Sequence, residues 1–66
     1  MDAVTTAVAK YIKEKGIAVS AIIKSTGLTP NAIYPSLCDD PKRKLRADEF
    51  MKICAFLEVD PRKFTA

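Results

Sequence analysis

The sequence predicts an all-α domain, a compact bundle of four helices plus a short C-terminal fifth. Three observations predict it. Apolar residues recur at three- and four-residue spacing over 4–12 and again over 50–57. Glycine or proline stands at Gly16, Gly27, Pro30, Pro41 and Pro61, where short helices would stop or start. No stretch shows the alternation of a half-buried strand.

The chain has 66 residues, enough for one domain over 1–66. A domain of this size buries a modest core, so it depends on efficient packing or oligomerisation. Hydrophobic residues make up 48% of the chain, which argues against disorder.

Asp2 suits the N-cap of a first helix over 3–15, and its charge suits the positive end of the dipole. Val4, Ala7, Val8, Tyr11 and Ile12 form the inward stripe, and Gly16 closes the helix. A second helix is expected over about 18–26. Ala18 stands where Ser or Thr would cap it, so its stability must come from packing Ile22 and its neighbours. Thr29 and Pro30 open a third helix, with Ala32, Ile33 and Leu37 inward. Pro35 falls past its first turn, where a proline costs roughly 3 kcal/mol in a helix interior. The third helix is therefore expected to be kinked at Pro35 or split into two short turns.

Asp39, Asp40 and Pro41 begin a loop, and Leu45 returns the chain to the core. A fourth helix over 47–57 presents Phe50, Ile53, Cys54 and Leu57 inward, with Asp48 and Glu49 in its first turn. Glu58 occupies a position where glycine would be comfortable. Val59 packs back, and Asp60-Pro61 leads into a short helix over about 61–65.

Composition excludes several function classes. There is no histidine, and the only cysteines, Cys38 and Cys54, form no CxxC pair, so no metal site is expected. Both thiols are expected to be buried and reduced. No glycine-rich phosphate loop or matched acid–base pair points to an enzyme, a cofactor or a small-molecule substrate. The start, MDAVTTAVAK, lacks the pattern of a signal peptide, and no apolar run reaches a membrane span; a cytoplasmic location is expected. The net charge of +3 permits nucleic-acid binding without demanding it. Its distribution says more: Lys42, Arg43, Lys44 and Arg46 hold four of the eleven positive charges within five residues.

The stretch 20–33, SAIIKSTGLTPNAI, ties these features to a function. Gly27 supplies the positive φ that ends one helix, and Thr29-Pro30 begins the next. Two short helices joined by such a turn make a helix-turn-helix, whose second helix can enter a DNA major groove. An ordinary helix hairpin is the alternative for the turn alone.

With this segment and the tail KRKLRADEFMKICAFLEVDPRKF, the chain resembles the Cro/C1-type helix-turn-helix family, the lambda-repressor-like DNA-binding domains. The resemblance covers nearly all 66 residues and rests on order and spacing together. It implies a sequence-specific regulator of transcription, a repressor, bound to double-stranded DNA as a homodimer. It puts Thr29, Asn31, Tyr34 and Ser36 at base edges, where Asn can pair with adenine. Lys42, Arg43 and Lys44 would neutralise phosphates, with Lys24, Ser25 and Thr26 as weaker backbone contacts. The sequence departs from the family at Val19, where a phosphate-binding glutamine is frequent, at Ile23, where a small alanine is usual, and at Pro35 and Ser36.

Phe56 lies about 120° round the fourth helix from the Phe50 and Leu57 side. It either covers a gap in the core or forms a dimer surface. The alternative to DNA binding is a protein-interaction module, regulatory or antitoxin-like, built on the same fold.

Overall fold

A computed structural model of the chain describes residues 2–65. The order of elements is α1 (Ala3–Glu14), α2 (Val19–Thr26), α3 (Pro30–Ser36), α4 (Ala47–Leu57) and α5 (Arg62–Thr65), with no strand among the described residues. The all-α bundle of four helices and a short fifth is what the periodicity predicted, and α4 has the predicted bounds.

The Asp2 carboxylate accepts the Thr5 N–H at 3.0 Å and caps α1. That N–H holds the carboxyl below its ordinary value, and the Thr5 hydroxyl and the charge of Lys44 act in the same direction. Thr5 itself is fully buried. Its hydroxyl donates to Asp2 at 3.1 Å and accepts the Leu45 N–H at 3.0 Å, so the start of α1 is tied to the segment before α4.

Glycine matters at two turns. Gly16, with φ +69°, lets the Gly16 and Ile17 N–H groups reach back to the carbonyls of Lys13 and Ile12, a Schellman closure. Gly27, with φ +74°, ends α2, and its N–H bonds the Ile23 carbonyl at 2.8 Å. The closure of α4 repeats the first pattern with a different residue. Glu58 adopts φ +58°, while Glu58 and Val59 donate to Ala55 and Cys54. A side chain thus stands in the left-handed region that glycine favours.

The third helix is not split. It runs from Pro30 through Pro35 as one segment and ends a residue later. Pro35 lies in the last turn of a seven-residue helix, so its missing N–H removes only the bond to the Asn31 carbonyl. Its own carbonyl accepts the Lys42 N–H at 2.8 Å.

The core gathers Val8 and Ile12 from α1, Ile22 from α2, Ile33 from α3, Leu37 and Leu45 from the connecting loop, and Ile53 from α4. α2 packs against both α3 and α4, and α5 packs back on α1. Phe64 carries the last contact, with its ring edge-on to Tyr11 at 5.5 Å and to Phe50 at 6.2 Å. Lys15 and Lys63 each lie over the Tyr11 ring. No helix among the described residues is long and apolar enough to cross a membrane.

The two cysteines differ. Cys54 is buried in α4, and burial pushes its thiol up. Cys38 is exposed, contrary to expectation, because α3 has ended and the chain at this point runs over the surface.

Two substitutions test these local arguments. Thr5→Val keeps the shape but leaves the Leu45 N–H buried without its acceptor, and should lower the unfolding free energy in urea by about 1–3 kcal/mol. Glu58→Gly should raise it by about 1 kcal/mol, the order of the left-handed penalty removed.

Candidate nucleic-acid interface

α2 and α3 are joined by residues 27–29 and pack on each other. The burial pattern of α3 separates two faces. Ile33 and Ser36 are fully buried and Leu37 nearly so. Thr29, Pro30, Asn31 and Tyr34 are exposed, with Tyr34 at 50%. Asn31 and Tyr34 lie three residues apart, so they share one side of the helix. Thr29 precedes α3 and makes no side-chain cap bond. Three of the four expected base-reading residues, Thr29, Asn31 and Tyr34, are therefore accessible together.

Ser36 is the exception and is removed from that set. Its hydroxyl donates to the Ala32 carbonyl at 3.0 Å and accepts from Arg43 at 3.3 Å. A side chain with no exposed surface and both roles filled has nothing to offer a base.

The expected phosphate contacts divide in the same way. Lys24 and Ser25 are exposed at the end of α2. Thr26 is turned to local work: its hydroxyl donates to the Ile22 carbonyl at 2.7 Å and accepts the Leu28 N–H at 3.4 Å. Lys42 is exposed but paired with Asp40 at 2.6 Å, which raises the lysine and lowers the carboxylate. Lys44 is exposed beside Asp2. It lines a cleft of about 560 Å³ with Val4, Leu45, Arg46 and Phe50, to which no α3 residue contributes.

Arg43 is turned into the protein, with 32% of its side chain exposed. Its guanidinium grips Glu49 with two nitrogens, Nη1 to Oε1 at 2.9 Å and Nη2 to Oε2 at 3.2 Å. Nη1 also reaches the Ala32 carbonyl at 3.2 Å and the Ser36 hydroxyl. Only such a planar, multi-donor group can satisfy a carboxylate, a carbonyl and a hydroxyl at once. The basic cluster is thus largely answered by the protein's own acids, since Arg46 also lies 3.9 Å from Asp48. Asp39 at the start of the loop pairs with Lys13 of α1.

Glu49 is the residue that sequence reasoning missed in this region. Its charge suits the first turn of α4, yet the side chain is buried. Its Oε1 accepts the Arg46 N–H at 2.9 Å, the reach-back of an N3 glutamate to the residue before the helix. The three-residue spacing from Arg46 was the available signal. Burial pushes the Glu49 carboxyl up, but the bonds from Arg43 and Arg46 and their charges outweigh it, and the carboxyl sits below its ordinary value.

Phe56 is half-buried and packs against the core, with part of its surface still exposed. Met51, on the same helix, is 54% exposed. Among the described residues no group of His, Cys, Asp and Glu is arranged to hold a metal ion. Comparison with protein-family models, with curated proteins and with solved structures gives no match to this chain.

Because folding lowers the Glu49 carboxyl, the ionised form is favoured in the native state. Its stabilisation is present above the ordinary value of 4.5 and is lost as pH falls through the lower folded value. Glu49→Gln should lower stability at pH 7 by roughly 2 kcal/mol, discounted from the buried-pair value because the Arg43 side chain is 32% exposed. Thermal melts at pH 7 and at acid pH should show a shallower acid decline in Glu49→Gln than in the parent.

Proposed function

We propose that the chain binds double-stranded DNA as a transcriptional regulator of the repressor type, with α3 in the major groove. The observation that carries this reading is the sidedness of α3. A buried face locks it against α2 and the core, while Thr29, Asn31 and Tyr34 stand exposed on and just before it. Asn31 would pair with an adenine edge, Thr29 would meet a base or phosphate, and Tyr34 would supply an aromatic contact beside them. Lys24, Ser25 and Lys42 would meet the phosphates; Lys42 would exchange Asp40 for that contact. Two copies on two half-sites would form the functional unit, as is common for this mode of binding. Such a regulator would act in the cytoplasm, by occupying its site rather than by catalysis.

A second reading, a protein-interaction module, is favoured by one observation. The cluster at 42–46 is paired with Asp40, Glu49 and Asp48, so its field is weaker than its sequence suggests.

Gel retardation of random and selected duplexes over a salt series separates the two. With about two or three phosphates met by each protomer, log affinity should fall against log salt with a slope of roughly −2 to −3 per protomer. Asn31→Ala should flatten the preference among duplexes, while Lys24→Ala should weaken all of them alike. Folded protein that retards no duplex at low salt contradicts the DNA reading and leaves the interaction module.

A further inference from the structure

We propose that Arg43 is a positioning residue for α3, and that the Ala32–Ser36–Arg43–Glu49 network fixes the angle at which α3 presents Asn31 and Tyr34. α3 has seven residues, too few to hold a helix without tertiary support. Pro35 removes one of its few backbone bonds. Help comes from outside the helix, at its buried side. Arg43 Nη1 lies 3.2 Å from the Ala32 carbonyl and 3.3 Å from the Ser36 hydroxyl, one turn apart on α3. The same guanidinium is held in two-nitrogen register by Glu49, and Glu49 is fixed in turn by the Arg46 N–H at the start of α4. The chain of bonds therefore runs from the first turn of α4 to the carbonyl and hydroxyl of α3, and every link is partly buried.

Neither Arg43 nor Ser36 needs to touch DNA for this to matter. The effect on binding rests on the reading of α3 as the DNA-contacting element; the effect on α3 itself does not. The outward residues Asn31 and Tyr34 flank Ala32 and precede Ser36, so a loosened inner face changes their aim.

Arg43→Lys and Ser36→Ala test the proposal. The lysine keeps the charge and can reach Glu49 but lacks the planar set of donors. Ser36→Ala leaves the ion pair intact and guards against a variant that fails to fold. Amide hydrogen exchange is measured at Tyr34 and Leu37 in α3 and its end, and at Val8 and Ile12 in α1, together with duplex affinity at one salt concentration. In Arg43→Lys, α3 exchange should rise about tenfold with α1 unchanged, the loss expected for a charged hydrogen bond. Duplex affinity should fall by about the same factor, and Ser36→Ala should change both in the same direction by less. Exchange that rises equally in α1 and α3, or nowhere, in both variants overturns the proposal. So does loss of affinity without α3-selective exchange. If the parent protein retards no duplex while α3 exchange responds selectively, the DNA reading fails and the positioning role of Arg43 stands.

Discussion

The Arg43–Glu49 pair is the constraint that ties α3 to the start of α4. The segment 37–46 has no regular structure, yet it must join α3 to α4 and return Leu45 to the core. A backbone in that state needs partners from elsewhere. The Pro35 carbonyl accepts the Lys42 N–H and the Glu49 carboxylate the Arg46 N–H, and two anchors that use side chains hold the segment further. At one, the Arg43 guanidinium gathers Glu49, Ser36 and the Ala32 carbonyl. At the other, the buried Thr5 hydroxyl accepts the Leu45 N–H from across the domain. The loop thus connects α1, α3 and α4 through polar contacts while the helices share one apolar core.

This arrangement changes the electrostatic meaning of the basic cluster. Read as a string, four positive charges in five residues suggest a phosphate-binding loop. In space they have separate fates: Lys42 against Asp40, Arg43 drawn inward to Glu49, Lys44 beside Asp2, and Arg46 near Asp48. Exposed pairs such as Lys42–Asp40 are weak and can exchange partners, so they do not bar a phosphate. The Arg43 pair is different, because releasing it would strand a buried carboxylate. The basic side chains of this region left at the surface are Lys42, Lys44 and Arg46.

Most of the fold was legible in the sequence because it is written in periodicity and punctuation. The stripes of α1 and α4, the stops at Gly16 and Gly27, and the left-handed residue at Glu58 follow from local rules. Pro35 costs less than its type suggests, because α3 ends one residue later and only one backbone bond is lost. The exposure of Thr29, Asn31 and Tyr34 was an expectation from the resemblance rather than from periodicity. Ser36, Arg43 and Cys38 were not legible. Their environments depend on how a loop without periodicity crosses α3, and residue type alone does not say whether an arginine faces solvent or a buried glutamate.

Chemical-shift mapping shows whether the exposed face of α3 meets DNA. Isotope-labelled protein is titrated with duplex DNA at low salt, and the amide shifts are followed residue by residue. Perturbations are expected to concentrate at Lys24, Ser25, Thr29, Asn31, Tyr34 and Lys42, with Met51 and the cleft around Val4 and Phe50 unchanged. Absence of perturbation, or perturbation confined to α4 and that cleft, would contradict the DNA-contacting role of α3.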